Sequence, residues 1–346
     1  MQRPSIFNSG SAHVRQVSGF SQSRDRDRPN RRPKSSIAIG LQIAVSSVEA
    51  AYDGIPARSW GSRRVTALIS AESHFDASAV ADHYNELDVF YRELWGEHVH
   101  HGFWVSGRES PDAAARHLVD VVAQEAQIKS GNEVIDIGCG YGAAARQLAQ
   151  NYGARVTAIT LSSAQYAYAQ SVTAGTNPTY LVADWLTTDF PQNFQAAIAI
   201  ESSEHMPDRQ AFFRRTYNVL ETGGRFVVCA WLSREGPSSL ETAWLLRPIC
   251  DEGRVPHLPT LNELIGSAKA AGFELVNSQD CTRAVRRTWG IIFRRMAGRL
   301  LTDSRYRAFL LDPRRRNRIF ALTVIRLWLA YRTGSMRYGI VTLERK

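Results

Sequence analysis

Three glycines at alternate positions, Gly138, Gly140 and Gly142, follow the apolar run Val134-Ile135-Asp136-Ile137 and lead into an alanine-rich stretch at 143–149. An extended run that enters bare backbone and leaves as a helix is a ligand loop, because glycine permits positive φ and lets a ligand press on the main chain. The helix beyond points its positive N-terminus at whatever lies there. The spacing is Gly-x-Gly-x-Gly, whereas dinucleotide folds use Gly-x-Gly-x-x-Gly. Asp136 stands two residues ahead of the first glycine, and the next predicted strand, 155–160, ends on Thr160 where a dinucleotide enzyme places a ribose-binding acid. A nucleoside-bearing cofactor other than a dinucleotide is expected. Further on, Glu201 ends a predicted strand and His205 follows four residues later, a carboxylate and an imidazole suited to acid–base work. The plainer alternative is that both hold their loop by hydrogen bonds. His98, His100 and His101, with His205 and His257, invite a metal reading, but no acidic or cysteine partner is spaced for one, and no metal is expected.

The elements that position these residues follow from periodicity. Apolar Leu87, Phe90, Tyr91, Leu94 and Trp95 recur three and four apart within a helix-prone stretch at 75–103, and Pro111 opens a second helix to 126. Strands are expected at 134–137, 156–160, 179–183, 196–200, 225–231, 273–278 and 337–343. Helices at 143–149, 162–172, 208–220 and 260–271 alternate with them, and 233–259 reads as a loop. Such alternation predicts an α/β fold, a doubly wound parallel sheet with right-handed crossovers. Before the last strand the pattern breaks. Between 283 and 332 lie fourteen arginines against two acids, Asp303 and Asp312, interleaved with large apolar residues, which predicts inserted basic amphipathic helices.

Composition narrows the class. The 346 residues are 44% hydrophobic and 10% aromatic, enough for a sizeable core, and the net charge is +9. Residues 1–65 are rich in Arg, Ser and Gln and poor in core-formers. We expect a disordered or mis-assigned extension there, with a natural beginning near Val65, and a single domain over 66–346. Cys139, Cys229, Cys250 and Cys281 have neither metal nor disulfide-framework spacing, as expected in a reducing cytoplasm. No apolar run reaches membrane-spanning length.

The stretch 135–142, Ile-Asp-Ile-Gly-Cys-Gly-Tyr-Gly, resembles the first motif of class I S-adenosylmethionine-dependent methyltransferases. Residues 158–163 with Gln165 resemble the second-strand motif of the branch that holds tocopherol, sterol and cyclopropane-fatty-acid enzymes. The stretches 94–104, Leu-Trp-Gly-Glu-His-Val-His-His-Gly-Phe-Trp, and 201–208, Glu-Ser-Ser-Glu-His-Met-Pro-Asp, resemble signatures of the γ-tocopherol C-methyltransferase group, and 331–343 resembles its closing strand. The resemblance runs from about residue 75 to the end.

The resemblance implies a seven-stranded methyltransferase sheet with N-terminal lid helices (75–128), a helical insertion before the last strand (283–335), and S-adenosylmethionine as cofactor. It places Asp136, Ile137, Gly138 and Gly140 at the cofactor loop, and Tyr84, His101 and Gly102 near the methionine end. Thr160, Leu161 and Gln165 go to the ribose and methionine region. Ala183, Asp184 and Trp185 go to the adenine, with Trp185 stacking on the ring or simply packing in the core. Glu201 and His205 would face the methyl group, His205 as general base for a phenol or hydroquinone hydroxyl. The implied reaction is methylation of a lipophilic small molecule, foremost C-methylation of a tocopherol-like prenyl phenol or isoprenoid. The alternative is N- or O-methylation of a natural product. A nucleic-acid substrate is disfavoured, because the arginines interleave with an apolar face instead of tracking a groove. The insertion is expected to cap the acceptor site and to meet anionic membrane through Arg314, Arg315 and Arg316.

Overall fold

The structure, a computed structural model, describes residues 69–190 and 193–346. The expected extension over 1–65 and the beginning near Val65 lie outside the described residues. In chain order the strands are β1 (Ile69–Ser70), β2 (Glu133–Ile137), β3 (Arg155–Thr160), β4 (Thr179–Val182), β5 (Phe194–Ile200), β6 (Leu220–Ser233), β7 (His257–Leu258), β8 (Phe273–Asp280) and β9 (Met336–Arg345). Seven of them form one sheet in the order β4-β3-β2-β5-β6-β9-β8, while β1 and β7 pair as a separate antiparallel ribbon.

The all-parallel expectation needs one correction. β2 to β6 pair in parallel, but β9 is antiparallel to both β6 and β8. The inserted helices explain it. They stay at the edge where β8 ends, so the chain re-enters there and can only run backwards, whereas a parallel strand needs a crossover to the far edge.

The helices are α1 (Ala77–Trp95), α2 (Pro111–Glu125), α3 (Ala143–Tyr152), α4 (Ser163–Ser171), α5 (Arg209–Val219), α6 (Ser239–Glu241), α7 (Arg247–Gly253), α8 (Leu261–Ala270), α9 (Thr282–Val285), α10 (Arg287–Thr302), α11 (Ser304–Leu311) and α12 (Phe320–Thr333). Asp76, Ser110, Ser162, Asp208 and Thr260 cap α1, α2, α4, α5 and α8 by accepting a backbone N–H three residues on, each contributing about 1 kcal/mol. The segment read as a loop at 233–259 instead holds α6, a π-helical turn (Thr242–Leu246), α7 and β7. Its turn residues masked a short amphipathic pattern.

Both faces of the sheet are covered. Neighbours in the strands, such as Val134 with Ile135 and Val227 with Val228, are buried together, as a sheet with helices on either side requires. One face packs Val134, Ile198, Val227 and Ile340 against α2, α3 and the inserted helices. The other packs Ile135, Phe226, Val228 and Val341 against Phe212 and Phe213 of α5 and Leu264 of α8.

Candidate active site

The three loop glycines have different tasks. All adopt positive φ, at 85°, 53° and 73° for Gly138, Gly140 and Gly142. A Cβ on Gly138 would strike the Ser202 side chain, and one on Gly142 would lie 2.5 Å from the Tyr180 ring, whereas one on Gly140 would meet nothing within 4 Å. Gly140 therefore faces open space beside the loop. Ile137 is buried at the end of β2, and its carbonyl accepts the Ser202 hydroxyl. Asp136 is 1% exposed, and its Oδ2 has no hydrogen-bond partner among the described residues. Burial pushes its carboxyl up to about 7. A buried carboxylate oxygen left unsatisfied next to an open cradle suits a ligand that brings a cation or a strong donor.

The other residues assigned to the cofactor gather at the same edge. Thr160 Oγ1 donates to Gln165 Oε1 at 2.7 Å and accepts the Ser162 N–H at 3.1 Å. Half-buried Leu161 lies between them in the chain. Ala183 N–H donates to the Thr160 carbonyl, and Asp184 Oδ1 accepts the Leu186 N–H at 2.9 Å. Trp185 calls for a correction. Its ring is 2% exposed and lies 5.3 Å from Phe190, in the core with Ile137 and Ile159. A ring already covered on the core side offers no open face to adenine, so packing is the role its geometry supports.

Helix α1 ties these loops together. Asn85 Oδ1 accepts from Ser162 Oγ at 2.7 Å and from the Ala164 N–H. Tyr141 of the glycine loop donates to Asp88 Oδ1 at 2.9 Å, and Arg146 of α3 pairs with Glu97. On its other side α1 holds the insertion, through His83 to Asn317 at 2.9 Å and Glu93 to Arg305 at 2.9 Å.

At the end of β5, Glu201 adopts φ 54°, a left-handed conformation uncommon for a residue with a side chain. Its carboxylate is a hub. Oε1 accepts the His101 N–H at 2.7 Å and the Tyr338 hydroxyl at 2.9 Å, and Oε2 accepts the Trp231 indole N–H at 2.8 Å. His101 Nδ1 also stands 2.9 Å from Oε2. Burial alone would raise this carboxyl, but the charge and hydrogen bonds of His101 outweigh it and hold it down at about 2. Gly102 follows in the interior, where a Cβ would meet Ala114 and Trp104.

His205 has a defined tautomer. Its Nδ1–H donates to the Arg254 carbonyl at 2.9 Å, so Nε2 is the lone-pair side, and it accepts the Tyr84 hydroxyl at 2.9 Å. Burial lowers its pKa, only partly offset by the Arg254 contact, so the ring is a neutral base. Glu204, which sequence reasoning passed over, is also buried. It accepts the Trp231 backbone N–H, and burial raises it to about 8. Its signal was the spacing Glu201-x-x-Glu204-His205. Trp231, Trp289 and Tyr338 were missed as site residues because they come from β6, α10 and β9, remote in sequence.

Glu201, Glu204, Glu252 and His205 line a partly open cavity of about 70 Å³. Its remaining wall is aromatic and aliphatic, with Tyr84, Tyr91, Trp95, Trp231, Trp289 and Phe320 beside Val255, Val324 and Leu327. A larger open hollow of about 700 Å³ borders α1, α2 and α10, but charged side chains such as Arg92, Glu97 and Arg299 line it, and it holds neither Glu201 nor His205. Glu201 and His205 both lie in the smaller cavity. His98 Nδ1 and His100 Nε2 bond to each other at 3.1 Å, and among the described residues no group of three or more ligating side chains is arranged for a metal ion.

The family described as mycolic acid cyclopropane synthetase matches residues 71–298, more than half of the chain. The chain belongs to that family. It is similar to a tocopherol O-methyltransferase, chloroplastic, of Arabidopsis thaliana, 27% identical over 77% of this chain and 81% of the relative. It is also similar to a 2-methyl-6-phytyl-1,4-hydroquinone methyltransferase of Synechocystis sp., 27% identical over 81% and 91%. Among solved structures, the mycolic acid cyclopropane synthase CmaA1 complexed with SAH and CTAB shares the fold with a TM-score of 0.69, at 20% identity over 79% and 99% of the two chains. This family member is an S-adenosylmethionine-dependent methyltransferase. Among the described residues no helix is long and apolar enough to cross a membrane.

Proposed function

We propose that the enzyme methylates a lipophilic small molecule, with carbon methylation of a prenyl phenol or isoprenoid as the reaction its cavity serves best. The observation that carries this is the partly open, aromatic-rich cavity beside Glu201, Glu204 and His205. S-adenosylmethionine supplies the activated methyl group. Asp136 would meet its ammonium, Gly140 would let it lie against the backbone, and Thr160, Leu161, Gln165, Ala183 and Asp184 would line the ribose and adenine end. Tyr84, His101, Gly102 and Glu201 would border the methionine end, with α1 and α2 as lid.

Methyl transfer from a sulfonium to a neutral acceptor moves one positive charge onto the acceptor. Six aromatic side chains and the carboxylates of Glu201 and Glu252 around the cavity favour that charge. For a phenolic acceptor, Tyr84 would take the acceptor's proton while passing its own to His205 Nε2, raising electron density at the ring carbon. Glu201 would position His101, Trp231 and Tyr338 and contribute its charge. The cavity is smaller than any prenyl phenol, so the tail must leave between the inserted helices, which act as the acceptor cap over 283–335. A second reading, methylation of an amine in a natural product, is favoured by one observation: Glu204, raised to about 8, loses its proton in mildly alkaline solution and can there accept one from an ammonium.

The test is transfer of a labelled methyl group to lipid and polar extracts, with the product's methylated atom identified. A prenyl phenol labelled at ring carbon supports the first reading, and loss of that product with His205→Ala, at unchanged cofactor affinity, supports the base role. Label found only in polar amines would overturn it in favour of the second.

A further inference from the structure

Helix α12 is apolar on two opposite sides. Phe320, Thr323, Val324 and Leu327 line the cavity. Leu322 and Leu329 point the other way, 49% and 37% exposed, with Ile325 partly exposed between them. Positions 322, 325, 329 and 332 step by three, four and three, which is one stripe along the helix. The stripe reads Leu-Ile-Leu-Arg and ends on exposed Arg332, while Arg318, also exposed, lies in the turn just ahead of α12. A solvated face would carry polar residues at the first three positions.

The segment 239–253 runs alongside in the opposite direction. Ser335, just beyond α12, donates to Glu241 at 2.8 Å, and Thr323 near its start donates to Glu252 at 2.7 Å. This neighbour adds Leu240 and Trp244, four residues apart and 69% and 71% exposed. The two rods together present four large exposed apolar side chains, and both contribute to the cavity wall, through Glu252 and Gly253 on one and Phe320, Val324 and Leu327 on the other. Every arginine between 283 and 332 except Arg326 is exposed. The triplet singled out in the sequence is largely spoken for, since Arg314 pairs with Asp312 and Arg315 with Asp312 and Glu86. Arg318 and Arg332 have no carboxylate partner among the described residues.

We infer that the face formed by α12 and the segment 239–253 docks on an anionic lipid surface. Trp244, Leu240, Leu322 and Leu329 enter the headgroup–acyl boundary, and Arg318 and Arg332 lie at lipid phosphates. The inference rests on the lipophilic-acceptor reading: an acceptor dissolved in the bilayer would then pass between the two rods into the cavity they wall.

The full chain is sedimented with vesicles of phosphatidylcholine alone and of phosphatidylcholine with phosphatidylglycerol. Binding should require the anionic lipid and fall with added salt. Trp244→Ser and Leu322→Ser should each weaken it roughly tenfold, since each removes one buried apolar anchor. Arg318→Gln with Arg332→Gln should weaken it further and flatten the salt dependence, whereas Arg314→Gln should change it little. Calorimetric affinity for S-adenosylmethionine, unchanged in every variant, shows that the fold is kept. Equal binding by the parent and the Trp244→Ser, Leu322→Ser double variant would overturn the inference. So would no binding by the parent, or light scattering in which the same substitutions split a dimer. If vesicles bind as expected but labelled methyl reaches no lipid, the docking face stands and only the acceptor reading fails.

Discussion

The Tyr84 hydroxyl donates to Nε2 of His205 across 2.9 Å, joining the N-terminal helix to the loop after β5, and it does so inside the aromatic cavity. Arg254 fixes the tautomer by accepting from Nδ1. Burial raises the Tyr84 phenol well above its ordinary range and lowers His205, so the proton rests on the phenol until an acceptor displaces it. Tyr84→Phe should therefore lower kcat on a phenolic acceptor by about 10²–10⁴-fold, the usual worth of a positioned acid–base group. A merely structural Tyr84 would change KM and leave the kcat–pH profile intact, and that profile is the measurement that decides.

Gly140→Val should abolish cofactor binding measured by calorimetry while the protein stays folded, because its side chain would occupy the open cradle. The φ of 53° makes the change cost about 1–2 kcal/mol of stability as well. Gly142→Ala should do the reverse damage, lowering the melting temperature through the Tyr180 clash. Unchanged affinity in Gly140→Val would mean that the cofactor lies elsewhere.

Glu201→Ala would strand the Tyr338 hydroxyl, the Trp231 indole and the His101 N–H, all buried. At about 1–3 kcal/mol for each unsatisfied group, the loss should reach several kcal/mol in chemical denaturation. Glu201→Gln retains an oxygen and should lose much less stability, though it removes the charge. Equal stability of the Ala variant and the parent would contradict the hub.

Stability should peak near neutral pH. His83, His98, His100, His205 and His257 have pKa values lowered by burial, His83 to about 3 and His98 to about 2. Below the unfolded imidazole value of about 6.5, the unfolded chain binds protons that the folded one does not, so stability falls as pH drops, by about 1.4 kcal/mol per pH unit for each uncompensated imidazole. Asp136 and Glu204, raised by burial to about 7 and about 8, act with the opposite sign. From the ordinary carboxyl range up to those values the folded chain holds protons that the unfolded one has released, so their contribution is lost as pH rises. Five imidazoles against two carboxyls give a melting temperature that climbs toward about pH 6.5 and then declines gently. Saturating cofactor should flatten the decline by bringing a cation to Asp136. A melting temperature independent of pH between about 5 and 8 would refute this balance.

The glycine loop, the strand–helix alternation and the basic insertion were legible because each is local: a spacing, a period, a charge density. Glu201 and His205 were legible too, since a strand end and the next few residues share one short stretch. What stayed hidden is assembled across the chain. Glu201 meets His101, Trp231 and Tyr338 from three separate elements. Trp185 looked like a ring stacker because its position after β4 is local, whereas the Phe190 side chain that covers it belongs to tertiary packing. The reversed β9 was hidden for the same reason, as its direction depends on where the inserted helices leave the chain.

That reversed strand bears on how the molecule is made. β9 lies between β6 and the edge strand β8, with Cys229 opposite Ile340, so a growing chain that has not yet produced it leaves β6 with an unpaired edge and β8 with no strand beside it. Such edges recruit any extended peptide nearby, and closing them needs contacts far apart along the chain, which form slowly. Tyr338 arrives with the same strand and completes the Glu201 cluster. A ribosome-bound chain is thus most vulnerable to aggregation just before it first becomes able to enclose an acceptor, and a chaperone that shields β6 and β8 would act at that moment.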